Sequence, residues 1–265
     1  MALSPLATRI LAGLALGIPV LLAVWWGSPA FDLMIAAAVA ILAWEWFGIC
    51  GAGRPPVEGL LIGAVVVVAV VVATVFGIRP ALLALALGVA AVLLVTGREP
   101  WLSAGTLYIG LPCVALIWLR GADYGRDMVF WLMGVVWATD IGAYAAGRLI
   151  GGPRLAPRIS PNKTWAGLAG GMALAAVTSA AFALAGPAGA RHVVSAVVLG
   201  ALLAVIAQAG DLAESWVKRR FGVKDASALI PGHGGLLDRV DALLVVILVV
   251  ACIAAFDEGA FSRWL

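Results

Sequence analysis

The run LLIGAVVVVAVVVATVF, Leu60–Phe76, is apolar on every side. A helix packed on a water-soluble core would show polar residues recurring at a period near 3.6, whereas a helix facing lipid reads as an unbroken apolar run. Outward from it in both directions the same texture returns. Read against the roughly 20 residues that span a bilayer, nine candidate helices appear: Ile10–Trp26, Phe31–Cys50, Leu60–Phe76, Ala81–Thr96, Thr106–Leu119, Met128–Ala146, Thr164–Leu184, Val193–Trp216 and Leu236–Phe256. The whole chain of 265 residues is 64% hydrophobic and 12% charged, with a mean hydropathy of +1.10. Soluble domains are nearer 25% charged. The expected fold is therefore all-α: a polytopic membrane protein of about nine transmembrane helices. Arg9 ahead of the first run gives it the look of a signal sequence, but the lack of a small-x-small cleavage site favours a retained helix.

Of the 17 Lys and Arg residues, only Arg79, Arg120, Arg126, Arg191 and Arg263 fall on the side opposite the N-terminus. Cations accumulate on the cytoplasmic side of membrane helices, so the N-terminus and the two long polar segments, Arg148–Lys163 and Arg219–Gly235, are expected there. The compartment expected for the chain is the cytoplasmic (inner) membrane of a bacterium. Tryptophans near expected helix ends, Trp25, Trp26, Trp101, Trp165, Trp216 and Trp264, fit an interfacial belt. Glu45, between Trp44 and Trp46, reads as an interfacial carboxylate ahead of the other reading, a site residue. Cys50, Cys113 and Cys252 are scattered with no ligand-like spacing, which argues against a disulfide framework or a zinc site. A net charge of +3 gives no support to a nucleic-acid surface. Residues 1–125 read as scaffold, dimerisation or lipid-access helices and 126–265 as the catalytic region.

Chemistry concentrates in a few polar positions. Asp140 lies in the apolar run FWLMGVVWATDIGAYAAG, where a charge is costly and commonly functional; Tyr144 and Arg148 follow on the same helical face. The SPNKT turn, Ser160–Thr164, places Lys163 at a helix N-terminus, a natural anion site. Asp211, Glu214, Ser215 and Lys218 share one face at the end of the eighth span. Then comes SWVKRRFGVKDASALIPGHGGLLDRVD, Ser215–Asp241. Its glycines, Gly232, Gly234 and Gly235, surround His233 and permit positive φ and close approach of N–H groups to an anion. Asp238 and Asp241 share a face of the ninth helix. Two carboxylates ~4 Å apart repel by about 4 kcal/mol at an effective dielectric near 20, a repulsion a divalent cation removes, and all-oxygen ligands favour Mg²⁺ over zinc. Salt-bridging by Arg239 is the competing account. Acids for a metal with cations and glycines for phosphates are what phosphoryl and nucleotidyl transfer require.

The pattern S-x-x-K-R-x4-K-D-x-S-x2-I-P-x-H-G-G-L-x-D-R-V-D resembles the signature of the phosphatidate cytidylyltransferases, and Gln208–Asp211, Ala138–Arg148 and Ser160–Gly167 are similar to that family as well. The likeness covers helices six to nine; the first 125 residues resemble it only in hydropathy. The resemblance implies that CTP and phosphatidic acid give CDP-diacylglycerol and pyrophosphate, with Mg²⁺ required and a second, monovalent cation left open, in a homodimer whose nucleotide site faces the cytoplasm. It implies Asp211 and Asp238 as metal-binding acids supported by Asp241. Lys163, Lys218, Arg219 and Lys224 are then expected to bind phosphates, His233, Gly234 and Gly235 to contact the triphosphate, Ser215 and Arg239 to line the CTP site, and Asp140 with Tyr144 to support the polar cavity. Two other classes stay open: a CTP-dependent polyprenol or phytol kinase, which would move the γ-phosphate, and an ion-coupled transporter with Asp140 and Asp211 as ligands.

Overall fold

The computed structural model describes residues 5–186, 189–257 and 261. Arg263 and Trp264, and the side chain of Arg9, lie outside the described residues. Nine α-helices form among them: α1 (Pro5–Trp26), α2 (Ala30–Cys50), α3 (Pro56–Phe76), α4 (Ile78–Val95), α5 (Pro100–Arg120), α6 (Gly125–Leu149), α7 (Trp165–Ala185), α8 (Val193–Arg220) and α9 (Leu237–Phe256). Eight helical segments are long and apolar enough to cross a membrane, and the first contributes a shorter apolar stretch, Leu11–Trp26. The all-α polytopic expectation holds.

Element ends show the local chemistry that sets them. α3 starts with Pro56 in its first turn, where the missing N–H costs nothing, and stops at Gly77, whose φ of +85° is open to glycine. α5 begins six residues before its expected start at Thr106, because Glu99 caps Trp101 N–H and Pro100 occupies the first turn. The SPNKT turn is more ordered than a loop: β1 (Arg154–Ala156) and β2 (Ser160–Thr164) form an antiparallel ribbon. Thr164 ends it as N-cap of α7, its hydroxyl accepting from Gly167 N–H at 3.0 Å.

The chain folds as two compact units, one of residues up to Gly121 together with Arg220–Val240, the other of Ala122–Arg219 together with the residues from Asp241 onward. The Arg220–Val240 loop thus belongs with the N-terminal helices. In that first unit α2, α3, α4 and α5 pack on one another through fully enclosed side chains such as Phe31, Ile62, Leu85, Leu102 and Ile109. Its polar loops are tied by Arg54, which bonds Glu58 and the Thr96 carbonyl. Hydrogen bonding to Glu58 raises the Arg54 guanidinium above its ordinary pKa, so this cation stays charged throughout the working pH range.

In the second unit α6 and α7 approach through small residues, the usual device where lipid leaves no hydrophobic drive between helices. A Cβ on Gly142 would stand 2.4 Å from the Gly170 carbonyl oxygen, and one on Gly170 would stand 2.6 Å from that of Gly142. Trp131 is enclosed in the same unit and donates its indole N–H to Ser179 Oγ at 3.0 Å.

Candidate active site

In the second unit the polar face read from α8 is present. Lys163, brought by β2 to the start of α7, sets its Nζ 2.6 Å from Asp211 Oδ2. Ser215 donates its hydroxyl to Asp211 Oδ1 at 3.3 Å, and Lys218 pairs with Glu214 at 2.5 Å. Glu214 and Lys218 are both buried, as they must be paired to be. Asp241, on α9, interacts electrostatically with Asp211, Glu214 and Lys218. α8 and α9 come this close because residue 210 is glycine: a Cβ there would meet Val245 Cγ2 at 2.9 Å and the Asp241 carbonyl oxygen at 3.3 Å. The cluster thus joins three acids, two lysines and a serine. Asp140, Tyr144 and Arg148 lie exposed along α6, with Arg148 donating to the Tyr144 hydroxyl at 3.1 Å.

In the first unit the loop carrying Lys224 and His233 is held by two carboxylates. Asp238 Oδ2 accepts from Ala226 N–H at 2.9 Å and Gly235 N–H at 2.8 Å. Glu45 accepts from Ser227 Oγ, Leu236 N–H and Leu237 N–H at 2.6, 2.8 and 2.6 Å. The expected positive φ occurs at Gly232 and Gly234, at +75° and +80°. Gly235 serves a different purpose: a Cβ on it would stand 2.5 Å from Glu45 Oε1. Its N–H, expected to face the triphosphate, is instead directed at Asp238. Lys224 and Arg239 are exposed in this unit; Arg219, the last residue of its segment in the second unit, is exposed too.

Glu45 corrects the expectation of an interfacial carboxylate. It is 1% exposed and bonded to three donors. A carboxylate inside an apolar run between Trp44 and Trp46 was the signal. Its partners stand far along the chain, and no local pattern points to them.

Among the described residues no three His, Cys, Asp or Glu side chains form a protein-only metal cage. Mg²⁺ does not need one, since it is commonly held by one or two carboxylates with water and substrate phosphates completing the shell. The paired acids and hydroxyl around Asp211, all oxygen donors, fit such an ion and do not suit zinc or copper.

Residues 7–256 match the model of the cytidylyltransferase family. This chain belongs to that family. It is similar to a phosphatidate cytidylyltransferase of Brucella melitensis, 43% identical over 91% of this chain and 90% of the relative. The corresponding protein of Pseudomonas aeruginosa is 34% identical over 84% and 87%, and that of Bacillus subtilis 40% identical over 55% and 54%. The match of this cytidylyltransferase to its family takes in the N-terminal helices, where sequence reading found likeness only in hydropathy.

Proposed function

We propose that this cytidylyltransferase transfers CMP from CTP to phosphatidic acid, giving CDP-diacylglycerol and pyrophosphate. The observation that carries this reading is the 43% identity, over 91% of the chain, to a relative named phosphatidate cytidylyltransferase. A phosphate oxygen of the lipid forms the new bond to the α-phosphorus of CTP. The bond from that phosphorus to the bridging oxygen breaks, and pyrophosphate leaves with the electron pair. The nucleophile is already an anion, so no strong base is needed. What opposes the step is repulsion between two polyanions.

The chain's own residues answer that repulsion. Lys163, Lys218, Arg219, Lys224 and Arg239 supply positive charge to the phosphates, with Ser215, His233 and Gly234 as polar contacts. The Gly235 N–H acts through Asp238, which it orients, and Asp140 with Tyr144 forms a polar stripe on α6. The acids assigned to Mg²⁺ are Asp211, backed by Asp241 in the same unit, and Asp238. When bound, the ion would neutralise phosphate oxygens and withdraw charge from the transferring group. Lys163 has a second duty: paired with Asp211 at 2.6 Å, it keeps that carboxylate aimed.

Purified protein given CTP labelled on the α-phosphate, phosphatidic acid and Mg²⁺ is expected to move the label into chloroform-soluble lipid and to release pyrophosphate. Release of CDP with label left in water would instead identify a kinase. In this reading the enzyme is a homodimer in the bacterial inner membrane with its N-terminus and nucleotide site in the cytoplasm. Alkaline phosphatase fused beyond α9 should then be active and an N-terminal fusion inactive; the reverse pattern would invert the topology.

A further inference from the structure

Glu45 has no part in the chemistry just described, yet it is only 1% exposed. A buried carboxylate is costly unless donors surround it. Here the donors are one hydroxyl and two N–H groups: Ser227 Oγ and Leu236 N–H on Oε1, Leu237 N–H on Oε2. The two N–H groups belong to the start of α9, where free donors and the helix dipole favour negative charge. Glu45 therefore caps a helix that begins 192 residues later.

The cap reaches further than α9. Between the two carboxylates, five donors of the Ala226–Leu237 loop are claimed: Ala226 and Gly235 by Asp238, and Ser227, Leu236 and Leu237 by Glu45. Gly235 N–H bonds Asp238, and the next two N–H groups bond Glu45. Displacing Glu45 would release the strand of backbone that holds Asp238. The other end of the loop is tied through the neighbouring residue of α2. Trp46 donates its indole N–H to the Trp101 carbonyl at 2.9 Å. The Trp101 ring receives the edge of Phe221 at 5.4 Å and the Arg220 guanidinium at 5.3 Å. Consecutive residues of α2 thus anchor both ends of the segment that carries Lys224, His233 and Asp238.

We propose that Glu45 is a positioning residue for cytidylyl transfer: it fixes the Ala226–Asp238 loop, and through Gly235 the Asp238 carboxylate, in the geometry that CTP meets. The proposal rests on the functional reading above. A misplacement of about 1 Å at a reacting centre costs about 100-fold in rate, so a loosened loop should be seen in catalysis as well as in stability.

The test uses full-length protein in detergent, with Glu45→Gln, Glu45→Asp and Ser227→Ala. The Gln amide NH₂ must face one of the three donors, so at least one bond is replaced by a donor–donor contact. Glu45→Gln is expected to lower kcat/KM for CTP by about 100-fold per folded molecule and to raise the Mg²⁺ concentration needed for half-maximal rate. It should also speed amide exchange at Leu236 and Leu237 at least about tenfold, with α3 and α4 unchanged. Glu45→Asp, which keeps the charge, should recover part of the loss. Ser227→Ala removes one bond to Glu45 and the bond from Leu229 N–H; it should give a smaller shift in the same direction. Wild-type kcat and KM in folded Glu45→Gln, even with a lowered melting temperature, would make Glu45 a plain helix cap and overturn the proposal. If Glu45→Gln does not fold, wild-type exchange and kinetics in Ser227→Ala overturn it equally. Absence of CMP transfer by the unaltered protein would instead defeat the reading of the reaction, and amide exchange would still report on the clamp.

Discussion

Asp211→Asn is expected to reduce kcat by about 10³-fold, the order lost when one preorganised electrostatic partner of a phosphoryl-type transition state is removed. The carboxylate meets Lys163 at 2.6 Å and the Ser215 hydroxyl at 3.3 Å, and Asn keeps the shape while removing the charge. Two consequences must be separated. The Lys163 ammonium loses its counter-ion, which destabilises the fold by about 1 kcal/mol, because the pair is partly exposed and screened. The metal-holding acid is also gone, which acts on turnover. Lys163→Met in the Asp211→Asn background removes the stranded cation and should restore most of the lost stability. Activity should stay low, since neither the phosphate cation nor the acid returns. Wild-type turnover in Asp211→Asn at saturating CTP and Mg²⁺ would take the metal role away from Asp211. Recovery of turnover in the double variant would reduce the pair to a structural tie.

Gly142→Ala should strongly destabilise the second unit. The added Cβ would lie 2.4 Å from the Gly170 carbonyl oxygen, and this is backbone that cannot rotate aside as a side chain can. α6 and α7 would have to separate along the small-residue seam of Gly142, Ala146, Gly167, Gly170 and Gly171. Overpacking of this kind costs about 1–3 kcal/mol, and we expect the upper end, read as a lowered thermal midpoint in detergent. Gly48→Ala in α2 is the control. A Cβ there meets nothing within 4 Å, and replacing this glycine, in the last turn of α2, should leave stability unchanged or raise it by less than the roughly 1 kcal/mol of a mid-helix glycine. Equal behaviour of the two variants would show that the seam yields.

How far the sequence could be read follows from how local each signal was. Unbroken apolar runs made the helices legible, since a bilayer imposes their length directly. The eighth span shows the limit. Its apolar run suggested an end at Trp216, but the helix continues to Arg220, because Lys218 is neutralised one turn back by Glu214 and the basic residues can remain helical. The ribbon of β1 and β2 was hidden because two prolines and an asparagine announce a turn without saying that its arms pair. The face Asp211, Ser215, Lys218 was legible since i, i+4, i+7 spacing is a property of one helix. Lys163 was legible as a cation at a helix start, but its pairing with Asp211 was not.

The sequence by itself determined a multi-helix membrane protein of the cytidylyltransferase family, because hydropathy and the Ser215–Asp241 pattern are both short-range along the chain. Tertiary structure alone decided what Leu60–Phe76 and its neighbours were for. They form the unit whose α2 carries Glu45 to the start of α9, across a separation of 192 residues. No periodicity records which backbone N–H a carboxylate will meet. That choice is made by packing, which leaves a buried charge only the donors the fold brings to it.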